Sequence, residues 1–129
     1  MTARILMVDD EPDAQELFRQ NFRREIRNGV YSFDFAQSGE AALNVLRGQT
    51  PPEVVLVLSD INMPGMTGIE LLAEIRKMWP DVSVFMITAY GDNATEAKAR
   101  DLGAARFVTK PVDFGRLKDD LARALEDRT

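Results

Sequence analysis

The sequence predicts an α/β fold in which helices cover both faces of a five-stranded parallel sheet. Five short apolar segments alternate with five amphipathic ones, and segment 54–58 is an uninterrupted run of Val and Leu. Such a run is typical of a strand buried on both faces, as in parallel sheets. Right-handed crossovers then give a doubly wound (βα)5 sheet, for which we expect the flavodoxin-like strand order 2-1-3-4-5.

The first unit runs from residue 5 to a break at Gly29. Ile5 to Val8 is the first strand, and Pro12 lies in the first turn of the helix that follows it. Glu11 and Asp13 suit the positive end of that helix dipole. The predicted apolar face consists of Ala14, Leu17, Phe18, Phe22 and Ile26.

The second unit begins with alternating aromatic residues. Tyr31, Phe33 and Phe35 mark the strand. Ser38 is the predicted cap of the second helix, which Gly48 closes before Pro51-Pro52 and the third strand. Its apolar residues are Ala42, Leu43 and Leu46.

A capping box marks the start of the third helix. Thr67 is followed three residues later by Glu70, and Pro80 lies just past the predicted end. Residues 82–88 then form the fourth strand. The apolar stripe of the helix is Leu71, Leu72, Ile75 and Met78, and we interpret Met66 as a packing residue rather than a recognition patch.

The last two units complete the sheet. Asp92 or Asn93 caps an alanine-rich fourth helix that ends at 102–103, and 106–109 is a short fifth strand. Asp113 is the predicted cap of the fifth helix. The apolar residues of that helix are Phe114, Leu117, Leu121 and Leu125.

Composition excludes several functional classes. The chain has 129 residues, which we interpret as one domain (1–129), and it contains neither cysteine nor histidine. Thiol and histidine chemistry are therefore excluded, and any phosphohistidine donor must be another protein. A net charge of −5 argues against direct nucleic-acid binding. With no signal peptide or membrane span in the sequence, we expect a cytoplasmic location and no membrane contact.

Polar residues follow four of the strands at the edge where ligands of such sheets bind. They are Asp9, Asp10, Asp60, Thr88 and Lys110. Three carboxylates and one ammonium leave a local charge of −2, which favours a divalent cation, and oxygen ligands suit Mg²⁺. A hydroxyl and an ammonium can contact phosphoryl oxygens. The cluster thus predicts a phosphoryl-transfer site with a carboxylate nucleophile.

Together these residues resemble the response-regulator receiver domains of two-component signal transduction, the CheY-like superfamily, over essentially the whole chain. The matching residues are the acidic pair Asp9-Asp10, the segment Asp60-Ile61-Asn62-Met63-Pro64 with Gly68, the switch pair Thr88 and Phe107, and Lys110-Pro111.

The resemblance implies a role for each matching residue. Asp60 is the phosphoacceptor, supplied by a sensor histidine kinase or a histidine phosphotransfer domain. Asp10, Asp60 and the Asn62 carbonyl coordinate Mg²⁺, with Asp9 acting through water. The residues that bind the phosphoryl group are Thr88, Ala89 and Lys110. Those with structural roles are Pro64, Gly68 and Pro111, and the resemblance implies that the Lys110–Pro111 peptide bond is cis, as it usually is in this family.

The resemblance also implies a switch. Phosphorylation draws Thr88 inward, Phe107 follows, and the surface of the fourth helix, fifth strand and fifth helix changes. That surface would signal to an output domain or protein, and a phosphorylation-dependent homodimer stays open. We expect no enzymatic activity beyond self-phosphorylation from a donor and slow self-dephosphorylation.

Two positions are expected to tune that dephosphorylation. Asn62 and Tyr90 lie two residues past Asp60 and Thr88. A bulky Tyr90 would shield the acyl phosphate from water, although a surface aromatic residue with no kinetic role is an equal interpretation.

Three alternatives stay open at this point. A haloacid dehalogenase-like Mg²⁺ phosphatase also uses an aspartyl phosphate, but Asn62 stands where a second acid would be expected. A flavodoxin-like electron carrier would have its phosphate repelled by Asp9 and Asp10. The basic residues of the first helix are either a solvated face or a docking stripe for an acidic partner, and they are Arg19, Arg23, Arg24 and Arg27.

Overall fold

A computed structural model of the chain describes residues 2–48, 53–88 and 93–126. Five parallel strands form one sheet in the order β2-β1-β3-β4-β5, which confirms the predicted fold class and topology. The strands are β1 (Ala3–Val8), β2 (Tyr31–Ala36), β3 (Val54–Asp60), β4 (Ser83–Thr88) and β5 (Arg106–Thr109).

Six helices connect and flank these strands within the described residues. They are α1 (Pro12–Asn21), α2 (Arg23–Arg27), α3 (Gly39–Arg47), α4 (Gly68–Met78), α5 (Asn93–Asp101) and α6 (Phe114–Glu126). None of the helices in the described part of the chain has the length and apolar character needed to cross a membrane. By their order along the chain, the predicted fourth and fifth helices correspond to α5 and α6.

The prediction of one continuous first helix was wrong, because Phe22 interrupts it with φ −104° and ψ 17°. The side-chain amide of Asn21 donates to the Leu17 carbonyl over 2.8 Å, so a side chain competes for a helix carbonyl at the break. The hydrogen-bond ladder resumes at once, since the Ile26 amide donates to the Phe22 carbonyl over 2.9 Å.

Buried side chains fall into two layers on opposite faces of the sheet. Leu6 and Val8 pack with α3, α4 and α5, whereas Ile5 and Met7 pack with α1 and α6. This alternation along a strand that is buried throughout its second half follows from the period of two in β structure. The sheet is thus doubly wound, with helices on both faces.

Three residues predicted on apolar helix faces are exposed instead. Leu17 is 49% exposed, Ile26 37% and Met78 43%. Phe18 and Phe22, with ring centroids 6.0 Å apart, fill the contact between the first helical segment and the sheet. Ala14 packs beside these rings, whereas Leu17 and Ile26 lie outside the contact.

Three of the predicted helix caps are confirmed. Ser38 Oγ accepts from the Ala41 amide, Thr67 and Glu70 form the reciprocal capping box, and Asp113 Oδ1 accepts from the Arg116 amide. Asn93 is the first residue of α5, while Asp92 and Pro51-Pro52 lie outside the described residues. Side-chain capping therefore fixes where three helices begin.

Candidate functional site

The three predicted acids lie together at the carboxyl edge of the sheet. Strands β1 and β3 are neighbours, with Val8 opposite Ser59, so the residues that follow them meet. One carboxylate oxygen from each of Asp9, Asp10 and Asp60 lies within 4.8 Å of the others. Asp9 is 2% exposed and Asp60 6%, while Asp10 is more exposed.

Burial of this cluster has an electrostatic cost. Desolvation raises the pKa of Asp9, and the charges of Asp60 and Asp10 act in the same direction. The Glu11 amide, which donates to Asp9 Oδ1 over 2.9 Å, opposes that rise. Oxygen donors this close, two of them buried, fit a hard divalent cation such as Mg²⁺.

Lys110 is the cation that the chain itself supplies. Its Nζ lies 2.9 Å from Asp60 Oδ2, and its backbone amide donates to the Thr88 carbonyl over 2.9 Å. Burial acts to lower the pKa of Lys110, but the hydrogen bond to Asp60 and the surrounding carboxylates outweigh it and raise the pKa. The lysine is therefore charged, and the Lys110–Pro111 peptide bond is cis.

The two predicted switch residues occupy adjacent strands. Thr88 ends β4 and is 3% exposed, next to Thr109 of β5. Phe107 lies opposite Met86 in the same pairing and is half-buried. Ala89 and Tyr90 lie outside the described residues.

The segment after β3 brings α4 against the phosphoacceptor candidate. The Gly68 amide donates to the Ile61 carbonyl over 2.8 Å. A Cβ at Gly68 would collide with the Asp60 carbonyl oxygen and lie 2.7 Å from Ile61 Cα. Of the intervening residues, Met63 is buried, whereas Asn62 and Pro64 are exposed. Because of the clash that a Cβ would make, only glycine at position 68 allows α4 to approach the end of β3 this closely.

The basic residues of the first helix are not one free stripe. Arg19 pairs with Glu16 over 2.9 Å, and its guanidinium lies 4.8 Å from the ring centroid of Phe35. Arg23 and Arg27 are exposed beside it.

Met66 packs against Gly39, where a Cβ would be 2.7 Å from the Met66 sulfur, as expected of a packing residue.

Sequence reasoning missed one contact at this end of the sheet. The guanidinium carbon of Arg100 lies 5.2 Å from the ring centroid of Phe107. The two residues are seven apart and belong to a helix and a strand separated by a turn. No helical or strand periodicity relates them, so the only available signal was an arginine shortly before an aromatic residue.

Sequence comparison relates the chain to known proteins over nearly its whole length. The sequence pattern of the family "Response regulator receiver domain" matches residues 5–122. The chain is 38% identical over 125 residues to the transcriptional regulatory protein GlrR of Escherichia coli, covering 97% of this chain and 26% of GlrR. It is 32% identical over 125 residues to sporulation initiation phosphotransferase F of Bacillus subtilis, covering 97% and 95% of the two chains.

Structural comparison agrees with the sequence matches. The signal receiver domain of an HD domain-containing protein from Pseudomonas fluorescens superimposes with a TM-score of 0.88 at 30% identity, covering 99% of this chain and 98% of that one. The receiver domain of NtrX from Brucella abortus gives a TM-score of 0.82 at 34% identity, covering 95% and 98%. The chain spans about a quarter of the length of GlrR and of the response regulator protein FleR of Pseudomonas aeruginosa.

Proposed function

This chain belongs to the response regulator receiver domain family, and on that premise we propose that Asp60 accepts a phosphoryl group from a phosphohistidine. The observation that carries the proposal is the buried Asp60 carboxylate, paired with Lys110 and grouped with Asp9 and Asp10. The family match supports this interpretation and not the haloacid dehalogenase alternative.

The transfer follows from ordinary phosphoryl chemistry. A carboxylate oxygen of Asp60 forms a bond to phosphorus as the P–N bond of the donor breaks, and the electron pair stays on the imidazole nitrogen. Lys110, which already donates a hydrogen bond to Asp60, neutralises the negative charge that develops on the phosphoryl oxygens. Thr88 and the Ala89 amide are the further phosphoryl-binding groups that we propose.

The acidic cluster is the proposed Mg²⁺ site. Asp9, Asp10, Asp60 and the backbone carbonyl of Asn62 would hold the ion, and three of these groups already bring oxygens within 4.8 Å. When bound, Mg²⁺ supplies positive charge to carboxylate and phosphoryl oxygens that otherwise repel each other. Desolvation, with smaller contributions from the charges of Asp60 and Asp10, raises the pKa of Asp9, and a bound cation would offset this cost of ionising the buried carboxyl.

Signalling would pass through the surface formed by α5, β5 and α6. A phosphoryl group adds charge and acceptor oxygens that draw Thr88 inward, and Phe107 moves into the vacated space. We propose that this shifts an equilibrium between two forms of the surface, with the signal passing to an output domain or protein. We propose structural roles for Pro64, Gly68 and Pro111, which maintain the backbone around the site. The same surface would also allow a phosphorylation-dependent homodimer.

The phosphoryl group would be lost slowly by self-hydrolysis. Asn62 is exposed beside Asp60, where it can control the approach of water. We propose the same tuning role for Tyr90. We propose no catalysis beyond phosphorylation of Asp60 from a donor and this self-hydrolysis.

The partners proposed for the chain follow its family. The phosphoryl donor is a sensor histidine kinase or a histidine phosphotransfer domain. We propose an output domain because GlrR, to which the chain is similar, is a transcriptional regulatory protein. This acidic domain itself, which we take as a single unit over 1–129, would act in the cytoplasm without contacting nucleic acid or membrane.

Intact-mass spectrometry tests the central proposal. Incubation with acetyl phosphate and Mg²⁺ should add one phosphoryl group per chain. The addition should disappear in Asp60→Asn and when a chelator removes the metal. Retention of the added mass in Asp60→Asn would reject Asp60 as the acceptor. If the added mass disappeared in Asp9→Asn but not in Asp60→Asn, Asp9 would be the nucleophile, as in the phosphatase alternative.

A further inference from the structure

Helix α5 is weakly anchored compared with its neighbour α4. Ala99 is the one buried residue among the nine of α5. Helix α4, in contrast, buries Gly68, Leu71, Leu72 and Ile75. With so little buried surface, α5 is held in place mainly by individual contacts with its neighbours.

The carboxyl end of α5 is nevertheless fixed to the sheet. The Ala105 amide donates to the Val84 carbonyl over 2.8 Å, and the Gly103 amide donates to the Arg100 carbonyl over 3.0 Å. Gly103 has φ +100°, a left-handed conformation that favours glycine, and a Cβ there would lie 2.9 Å from Arg76 Nε. The backbone of Arg100 is thereby held in a defined position relative to β5.

From this position the side chain of Arg100 covers the ring of Phe107. The guanidinium carbon lies 5.2 Å from the ring centroid, within the range of a cation–π attraction. The ring packs against the core layer of α3, α4 and α5, and it also borders an open groove of about 220 Å³ beside β5. Arg100 thus attracts the half-buried ring in the position that it occupies here.

We propose that Arg100 is a positioning residue that holds Phe107 in its resting place and so sets the equilibrium of the switch. The inference rests on the proposed function, in which Phe107 moves toward Thr88 after phosphorylation. That movement takes the ring away from a guanidinium whose backbone is fixed. Loss of one exposed cation–π contact should change the ratio of the two ring positions about two- to fivefold.

Equilibrium binding of beryllofluoride, which mimics a phosphoryl group on a carboxylate, tests this inference in the presence of Mg²⁺. A ligand that binds only the switched form has an apparent affinity proportional to the population of that form. Arg100→Met keeps an unbranched aliphatic side chain but removes the charge, so the apparent Kd should fall about two- to fivefold. Arg100→Lys, which keeps the charge, and Arg47→Met, an exposed arginine on α3, should bind as the wild type does.

A double-mutant cycle shows whether the effect passes through the ring. In a Phe107→Leu background, Arg100→Met should leave the affinity unchanged, because no aromatic face remains. An unchanged Kd in Arg100→Met, or an equal change in both backgrounds, would overturn the inference.

A second measurement separates this inference from the proposed function. Fluorine relaxation dispersion of 4-fluorophenylalanine at position 107, without phosphate or metal, should show a minor ring population that grows in Arg100→Met. A wild type that binds no beryllofluoride and takes no phosphoryl group contradicts the proposed function alone. An unaltered minor population in Arg100→Met contradicts the role of Arg100.

Discussion

Lys110 and Asp60 form an ion pair of 2.9 Å in which the carboxylate side chain is only 8% exposed while the lysine is 42% exposed. The pair joins the end of the third strand to the residue after the fifth. Because Asp60 also lies within reach of Asp9 and Asp10, Lys110 is the basic side chain bonded to an otherwise acidic cluster.

Replacing Lys110 with Met should therefore slow phosphorylation of Asp60. A preorganised positive charge is removed from the transferring group, and losses of one such donor are about 100-fold. The measurement is the initial rate of phosphoryl incorporation from acetyl phosphate, followed by intact mass. Lys77→Met, at an exposed position on α4, is the matched control and should react at the wild-type rate. A Lys110→Met rate within threefold of wild type would contradict this role.

Removal of Mg²⁺ should expose the repulsion within the acid cluster. Asp9→Asn keeps the size of the side chain but removes one buried charge, so in chelator its Tm should rise by about 2 to 5 °C over wild type. Saturating Mg²⁺ should shrink or reverse that difference, since the wild type binds the cation more tightly. Thermal unfolding with and without metal checks both statements. An equal difference in the two buffers would mean that Asp9 takes no part in cation binding.

The sequence predicted the acid cluster but not the full packing around it, for identifiable reasons. Asp9 and Asp10 follow β1 and Asp60 ends β3, so the strand order alone brings them together. The exposure of Leu17 depends instead on how two phenylalanine rings fill the space under α1, which no periodicity reveals. The contact between Arg100 and Phe107 requires the turn at 103–105, whose geometry is set by two hydrogen bonds back to α5 and one to β4.

Substitution of Gly68 should damage both the fold and the site. An added Cβ meets backbone atoms of Asp60 and Ile61 that cannot rotate away, so Gly68→Ala should cost about 2 kcal/mol or more. Gly115→Ala is a matched control, because the nearest atom to its Cβ is Asp113 Oδ1 at 3.5 Å. That change lies inside α6 and should stabilise by about 0.5 to 1 kcal/mol. Urea unfolding gives both values, and similar effects of the two variants would contradict the proposed steric role.

Replacing Thr88 with Ala should separate phosphorylation from signalling. Asp60, Lys110 and the acid cluster remain, so the variant should still take up a phosphoryl group. The hydroxyl that follows the phosphoryl group inward is lost, so phosphorylation-dependent binding to an output partner should weaken by about 10-fold, the scale of one hydrogen bond to a charged group. Mass spectrometry and binding titrations measure the two properties, and unchanged partner binding would reject the switch role.

The stability of the fold should fall at alkaline pH through Tyr31. This side chain is 7% exposed, and burial together with the charge of Glu25 raises its pKa above the ordinary value. The folded state therefore favours the neutral phenol. Its contribution is complete below the unfolded-state pKa of about 10 and is lost as the pH rises from there through the folded-state pKa. Tyr31→Phe cannot ionise, so its free energy of unfolding, relative to wild type, should increase over that window. Urea unfolding at a series of pH values measures the difference, and absorbance of the phenolate in a Tyr90→Phe background follows Tyr31 alone. A difference that stays constant as the pH passes 10 would show that Tyr31 ionises equally easily in both states.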